Sequence, residues 1–175
     1  NYALAHGTPW NVPYEFLGSS LYNSFANFGG DGLILALIVA ILLTSNGSYM
    51  HCVAQWTALP TLFNFNYATM IGLPVVFNPL FLIPFVFLPI VNILLASLAI
   101  TIQLIPSTPY PVLQGTPGPL ISFLGTNGNW GILIFTLVLL LIDSAAYIPF
   151  VKMALVVENR LTLAEQDVIS HEKND

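Results

Sequence analysis

The stretch WGILIFTLVLLLIDSAAYIPFVKMALVV, residues 130–157, decides the fold class of this chain. A helix needs roughly 20 apolar residues to cross about 30 Å of hydrocarbon, and this stretch is long enough. Trp130 lies at one end, and Tyr147 and Lys152 lie towards the other, as interfacial side chains do in membrane spans. The stretch therefore predicts a transmembrane helix.

The rest of the chain has the same apolar character. Of its 175 residues, 56% are hydrophobic and 6% are charged, whereas a soluble domain carries about 25% charged residues. No Asp, Glu, Lys or Arg occurs between Asp31 and Asp143. This composition excludes an ordinary soluble domain. The net charge of −5 comes mostly from a polar C-terminal segment, so it says little about function and no nucleic-acid partner is expected.

The apolar segments predict an all-α integral membrane protein with about three transmembrane helices, Pro-broken segments and a re-entrant hairpin. Residues 1–157 form the membrane part and residues 158–175 a polar tail. Within the membrane part we expect a span at 27–46, the re-entrant hairpin at 57–74, a broken span at 76–105 and the last span at 130–157. The basic residues lie at or beyond the end of the last span, which places the C-terminus in the cytoplasm.

Regularly spaced prolines mark the broken span, at positions 74, 79, 84 and 89. Each proline removes a backbone donor, so an uninterrupted helix is not expected in the first half of this segment. Membranes tolerate broken helices where protein or a water-filled cavity surrounds the freed carbonyls. A transport pathway and a kinked structural helix both fit this pattern. Residues 45–55 and 106–129 are predicted as loops, the second because it is too rich in turn-forming residues to be a helix.

Asp143 lies near the middle of the last span. A carboxylate at the bilayer centre costs about 2.5 to 3.5 kcal/mol, so Asp143 must face protein, pair or be protonated. A contact with a proton or substrate is one alternative. The favoured alternative is a packing carboxyl that bonds to a neighbouring helix.

No soluble-type catalytic constellation is visible. The sequence has no phosphate-binding Gly-rich loop and no His or Cys spacing suited to a metal, and Cys52 is its single cysteine. Neither a metal nor a cofactor is therefore expected. No residue that could carry a phosphoryl group is visible either, which leaves open whether the chain is part of an enzyme.

The segment 62–79 carries polar side chains within apolar sequence, namely Asn64, Asn66, Tyr67 and Thr69. Amides and hydroxyls beside aromatic rings suit a sugar, which offers hydroxyls to hydrogen-bonding groups and C–H faces to the rings. The same side chains could instead satisfy the backbone of broken helices.

Four stretches carry a family resemblance: 28–32 (FGGDG), 62–79 followed by 82–85 (LIPF), 116–120 (TPGPL) with 128–130 (GNW), and 147–152 (YIPFVK). In their order and spacing, the chain resembles the C-terminal part of enzyme IIC, the membrane component of the bacterial phosphotransferase system for lactose, cellobiose and chitobiose. The resemblance covers nearly the whole chain.

The resemblance implies a permease of the bacterial cytoplasmic membrane. Members of the family are homodimers in membrane lipid that bind a β-linked disaccharide, move it across the membrane and deliver it for phosphorylation by enzyme IIB. The substrate-binding residues implied here are Asn64, Asn66, Tyr67, Thr69 and Gln114.

Two departures weaken this expectation. Asn66-Tyr67-Ala68 stands where the family reads Asn-Glu-Pro, and Gln114-Gly115 stands where a Trp is common. A phenol lacks the charge of a carboxylate, so weak disaccharide binding is expected. The alternative is a degenerate, non-transporting membrane protein of the same fold that acts as an assembly, receptor or immunity partner.

Overall fold

A computed structural model describes residues 9–10, 12–13, 16, 18–73, 75, 77–113 and 115–172; for residues 19, 20 and 165–172 only the backbone is described. Over these ranges the protein is helical and contains no strand. The α-helices are α1 (Gly18–Leu21), α2 (Ile34–Thr44), α3 (Tyr49–Leu62), α4 (Tyr67–Gly72), α5 (Pro79–Thr101), α6 (Gly118–Gly125) and α7 (Trp130–Glu172). A π-helical turn, Tyr22–Ala26, and a 3-10 turn, Asp31–Leu33, lie between α1 and α2.

Three helical segments of the described chain are long and apolar enough to cross a membrane: Tyr22–Thr44, Pro79–Thr101 and Trp130–Ala164. The predicted fold class is confirmed. α5 and α7 expose large apolar side chains over much of their surfaces, as expected of helices that contact lipid or other membrane-buried protein.

α2 lies at the centre of the fold. Most of its side chains are buried, and it packs mainly against α7 and α3. The segment before α2 is a broken helix rather than a regular one. Gly29, Gly30 and Gly32 all have positive φ, and Leu33 has φ 59°. A Cβ atom at Gly30 would lie 2.5 Å from Cγ of Asn66, so only glycine fits against the helix that Asn66 precedes.

α3 and α4 form a helical hairpin, and α3 begins earlier than the sequence suggested. The prediction of a loop over 45–55 is wrong from Tyr49 onward. Ser48 is the N-cap of α3, and its hydroxyl accepts a hydrogen bond from the amide of His51 at 3.1 Å. A serine before an apolar run is a start signal that outweighs the polar character of the segment.

The turn between α3 and α4 ends α3 with a Schellman motif. Asn64 has φ 64°, the left-handed conformation that asparagine adopts more readily than most residues. The amide of Phe65 donates to the carbonyl of Pro60, and the amide of Asn64 donates to the carbonyl of Thr61. These two bonds satisfy carbonyls at the helix end and fix the direction of Asn64.

α5 runs without a break across Pro84 and Pro89, which differs from the interruption expected there. The described residues between α4 and α5 are non-helical, so the interruption precedes the span. Pro79 is the first residue of α5, where a missing N–H costs nothing, and the Asn78 side chain caps the helix by accepting from the amide of Leu80.

The prediction that 106–129 contains no helix is wrong for Gly118–Gly125, which is α6. Pro117 precedes this helix and Pro119 lies in its first turn, where proline is compatible with helical geometry. The turn formers mark the start of the helix rather than its absence. α7 continues beyond residue 157 into the polar segment and ends at Glu172.

Candidate functional site

A cavity of about 640 Å³ lies where three distant parts of the chain meet. The broken helix before α2, the turn between α3 and α4, and the loop before α6 each form one wall. Its lining residues are Asn23, Ser24, Asn27, Gly30, Asp31, Phe63, Asn64, Phe65, Asn66, Tyr67, Thr108, Pro109, Tyr110, Pro111, Val112, Leu113, Gly115 and Ile121. Aromatic rings therefore stand beside amides and one carboxylate, as in many ligand sites.

The Asn64 side chain ties these walls together. Its Oδ1 accepts hydrogen bonds from the amides of Gly29 at 2.8 Å and Gly30 at 3.1 Å. Its Nδ2 donates to the carbonyl of Thr116 at 3.1 Å. Both polar atoms of Asn64 are thus engaged with the protein, so this predicted substrate-binding residue chiefly builds the cavity.

Asn66 and Asn27 each have a side-chain polar atom that makes no hydrogen bond to the described part of the protein. Nδ2 of Asn66 and Oδ1 of Asn27 are buried, and neither has a hydrogen-bond partner within the described part of the chain. Buried amide groups are nearly always satisfied, and leaving one unpaired costs about 1 to 3 kcal/mol. Both atoms are closed off from the cavity space in this structure, so a ligand hydroxyl can pair with either atom only once its side chain turns towards the cavity.

The other predicted site residues divide between the cavity, the protein interior and the undescribed part. Tyr67 lines the cavity and is 74% exposed. Thr69 is 0% exposed, and its hydroxyl shares a 2.9 Å hydrogen bond with the Thr61 hydroxyl between α3 and α4. Thr69 is therefore a packing residue of the hairpin and does not line the cavity. Gln114 lies outside the described residues.

Asp31 is a cavity residue that sequence reasoning missed. It is the only charged side chain among the described residues that line the cavity, and its Oδ1 accepts a hydrogen bond from the Tyr22 hydroxyl at 2.7 Å. The available signal was its position as the last charge before the long uncharged stretch. The cavity thus has a carboxylate, although not at Tyr67, where the resemblance implies one.

Asp143 does not line the cavity and is 1% exposed. Its Oδ2 accepts a hydrogen bond from Nδ2 of Asn92 on α5 at 2.7 Å. This contact matches the alternative of a packing carboxyl bonded to a neighbouring helix. One turn further along α7, the Tyr147 hydroxyl donates to the carbonyl of Gly32 at 2.7 Å, and Tyr147 is 0% exposed.

Known proteins that this chain resembles are components of sugar phosphotransferase systems. The chain is 32% identical over 146 residues to a "PTS system cellobiose-specific EIIC component" of Lactococcus lactis subsp. lactis, covering 83% of this chain and 29% of the relative. It is 32% identical over 127 residues to a "PTS system lactose-specific EIICB component" of Staphylococcus aureus, covering 72% of this chain and 22% of the relative. No family model matches.

A solved structure has the same fold. It is the crystal structure of the transporter ChbC, "the IIC component from the N,N'-diacetylchitobiose-specific phosphotransferase system", with a TM-score of 0.74 and 28% identity. The match covers 83% of this chain and 33% of that chain. The chain therefore spans about a third or less of the proteins that it matches.

Proposed function

We propose that this chain forms the sugar-binding part of a permease. The chain is homologous to the enzyme IIC components of the lactose, cellobiose and chitobiose phosphotransferase systems. The sugar is a β-linked disaccharide of the cellobiose, lactose or chitobiose type, which crosses the bacterial cytoplasmic membrane and is phosphorylated by enzyme IIB. The observation that carries this proposal is the cavity at which Asn27, Asp31 and Asn66 meet aromatic rings.

The cavity chemistry suits a disaccharide. Its volume of about 640 Å³ is within the range of small-molecule sites. After a turn of its side chain towards the cavity, the unpartnered Nδ2 of Asn66 can donate to a sugar hydroxyl, and the unpartnered Oδ1 of Asn27 can accept from one in the same way. The Asp31 carboxylate can accept charge-assisted hydrogen bonds, which are stronger than those between neutral groups. Phe63, Phe65 and other rings offer apolar faces to the sugar C–H groups.

The placement of the hairpin supports a role for it in transport. α3 and α4 carry Asn64, Asn66 and Tyr67 to the cavity at the turn between them. In our proposal this hairpin, at 57–74, re-enters the membrane from the cytoplasmic side without crossing it. Irregular backbone at membrane depth is tolerated where it lines a cavity, as the turn does here.

The proposed partners are enzyme IIB and a second copy of the complete permease subunit. The name of the Staphylococcus aureus relative, an EIICB component, joins the two activities in one protein. The C-terminal segment after residue 157 would then lie in the cytoplasm, on the side where enzyme IIB acts. The basic residues Lys152 and Arg160 near this end of α7 favour that orientation.

Calorimetric titration of the purified chain in detergent micelles tests the proposal. Cellobiose, lactose and N,N'-diacetylchitobiose are titrated in turn, with sucrose as a sugar of different linkage. At least one β-linked disaccharide is expected to bind, and Asn66→Ala is expected to weaken binding by roughly 5- to 150-fold through loss of one hydrogen bond to the sugar. Asn46→Ala, at an exposed position outside the cavity lining, is the matched control. Equal affinity of the two variants would reject the assigned site, and no binding of any β-linked disaccharide would reject the function.

A further inference from the structure

Asp143 and Tyr147 lie one helical turn apart on α7, so they face the same neighbours. Both are buried, and neither is among the residues that line the cavity. Tyr147 bonds directly to one end of the broken helix before α2, and Asp143 bonds to Asn92, which in turn bonds to the other end.

The Tyr147 hydroxyl holds one end directly, by donating to the carbonyl of Gly32 at 2.7 Å. Asp143 acts at the other end through Asn92. Nδ2 of Asn92 donates one hydrogen bond to Oδ2 of Asp143 at 2.7 Å and a second to the carbonyl of Phe25 at 3.1 Å. Asp143 therefore fixes the orientation of the amide that holds Phe25.

The segment between these two points forms one wall of the cavity. Asn27, Gly30 and Asp31 all line the cavity, and all lie between Phe25 and Gly32 along the chain. The segment is not a regular helix, since Gly29, Gly30 and Gly32 have positive φ. Glycines restrict the backbone less than other residues do, so the conformation of this wall depends on contacts made by other elements.

The breaks also leave backbone carbonyls outside regular helical bonding at membrane depth. Each such group costs several kcal/mol in hydrocarbon unless it has a partner. Asn92 and Tyr147 supply partners at the two ends, and Asn64 holds the amides of Gly29 and Gly30 between them. The wall is thus held from α7 and α5 on one side and from the hairpin on the other.

We infer that Asp143 and Tyr147 are positioning residues that hold the wall at 25–32 in its ligand-binding conformation. The inference rests on the proposed function only for the identity of the ligand. Replacing either side chain should loosen this wall first and weaken ligand binding as a consequence. A residue that merely packs would instead lower the stability of the whole fold without a local effect.

Hydrogen exchange of the purified full chain in micelles, followed by mass spectrometry, tests the geometric part without any sugar. In Asp143→Leu and Tyr147→Phe, peptides covering 25–33 are expected to exchange about tenfold faster, because one buried hydrogen bond is lost in each. Peptides covering 50–58 of α3, a helix that packs mainly against α2 and α4, should be unchanged. Ser144→Ala is the matched control, since the Ser144 hydroxyl donates to the carbonyl of Leu140 within α7 and to no other group among the described residues. Asp143→Asn should exchange as the original chain does, since its amide oxygen can still accept from Asn92.

Two results would overturn the inference: unchanged exchange at 25–33, or an equal increase over 25–33 and over 50–58 of α3. The calorimetric titration then measures how each substitution changes the affinity for the disaccharide. Tyr147→Phe should weaken disaccharide binding by roughly tenfold while Ser144→Ala leaves it unchanged. Unchanged affinity in Tyr147→Phe would also contradict the inference. If the original chain binds no β-linked disaccharide, the proposed function fails, while the exchange experiment still decides the positioning roles.

Discussion

Asn64 is the side chain whose removal should most clearly separate the building of the cavity from the binding of a ligand. In Asn64→Gly the backbone keeps its left-handed conformation without strain, but three hydrogen bonds disappear: those from Gly29 and Gly30, and that to Thr116. Leaving a buried polar group without a partner costs about 1 to 3 kcal/mol, and these groups are partly buried, so each is placed at the lower end. The extra freedom of glycine in the unfolded chain adds up to about 1 kcal/mol. We therefore expect Asn64→Gly to lower the free energy of unfolding by about 3 to 4 kcal/mol.

Asn64→Asp is the matched variant. A carboxylate oxygen can still accept from the amides of Gly29 and Gly30, while the donor to the Thr116 carbonyl is lost. We expect a loss of about 1 to 2 kcal/mol, because one bond is removed and the carboxylate now faces a carbonyl oxygen. Reversible unfolding of the purified chain in mixed micelles, followed by circular dichroism, measures both values. If Asn64→Gly is within about 0.5 kcal/mol of the original chain, the hydrogen bonds of Asn64 do not hold the cavity walls together.

Three further outcomes are expected. Cys52, which is exposed near the start of α3, should resist a membrane-impermeant thiol reagent that is added outside intact cells. The reason is that the amide of Tyr49, at the same helix start, bonds to Glu158, just beyond the predicted cytoplasmic end of the last span. Rapid labelling from outside would contradict this orientation. The Asp143→Asn variant should accumulate in the membrane nearly normally and the Asp143→Lys variant far less, because a lysine cannot accept the hydrogen bond from Asn92 and adds a buried charge that costs about 3 kcal/mol. Equal amounts of the two variants by immunoblotting would mean that residue 143 reaches water. Gly30→Ala should lower the midpoint of thermal unfolding by at least about 5 °C, since its Cβ would clash with Asn66. Gly47→Ala should lower the midpoint less, because Gly47 also has positive φ but a Cβ there would meet no described residue beyond its chain neighbours within 4 Å; equal shifts would refute the close approach.

The sequence predicts the spans and the turn residues of the hairpin because those features are local. Apolar length alone identifies α5 and α7, and the polar residues of 62–79 indicate a site at which Asn66 and Tyr67 do line the cavity. Composition does not predict the helix starts at Ser48 and at Pro117, because capping residues and turn formers are also typical of loops.

Two walls of the cavity could not be predicted in this way. The segment with Asp31 and the loop at 108–115 are separated by more than sixty residues, and their approach depends on long-range packing. Asn64 lines the cavity as predicted, but its hydrogen bonds to the cavity walls are a second feature that the sequence does not reveal. An amide in apolar sequence looks the same whether it meets a sugar or, as here, the backbone amides of Gly29 and Gly30.

Protection of a cavity residue by sugar tests the central claim most directly. In a Cys52→Ser background, the single cysteine of Asn27→Cys lies in the cavity wall, and that of Asn46→Cys lies outside it. Saturating β-linked disaccharide is expected to slow alkylation of Asn27→Cys by at least about fivefold and to leave Asn46→Cys unchanged, because a bound ligand excludes the reagent. Equal alkylation of Asn27→Cys with and without disaccharide, under conditions where calorimetry detects binding, would contradict the account by placing the sugar elsewhere.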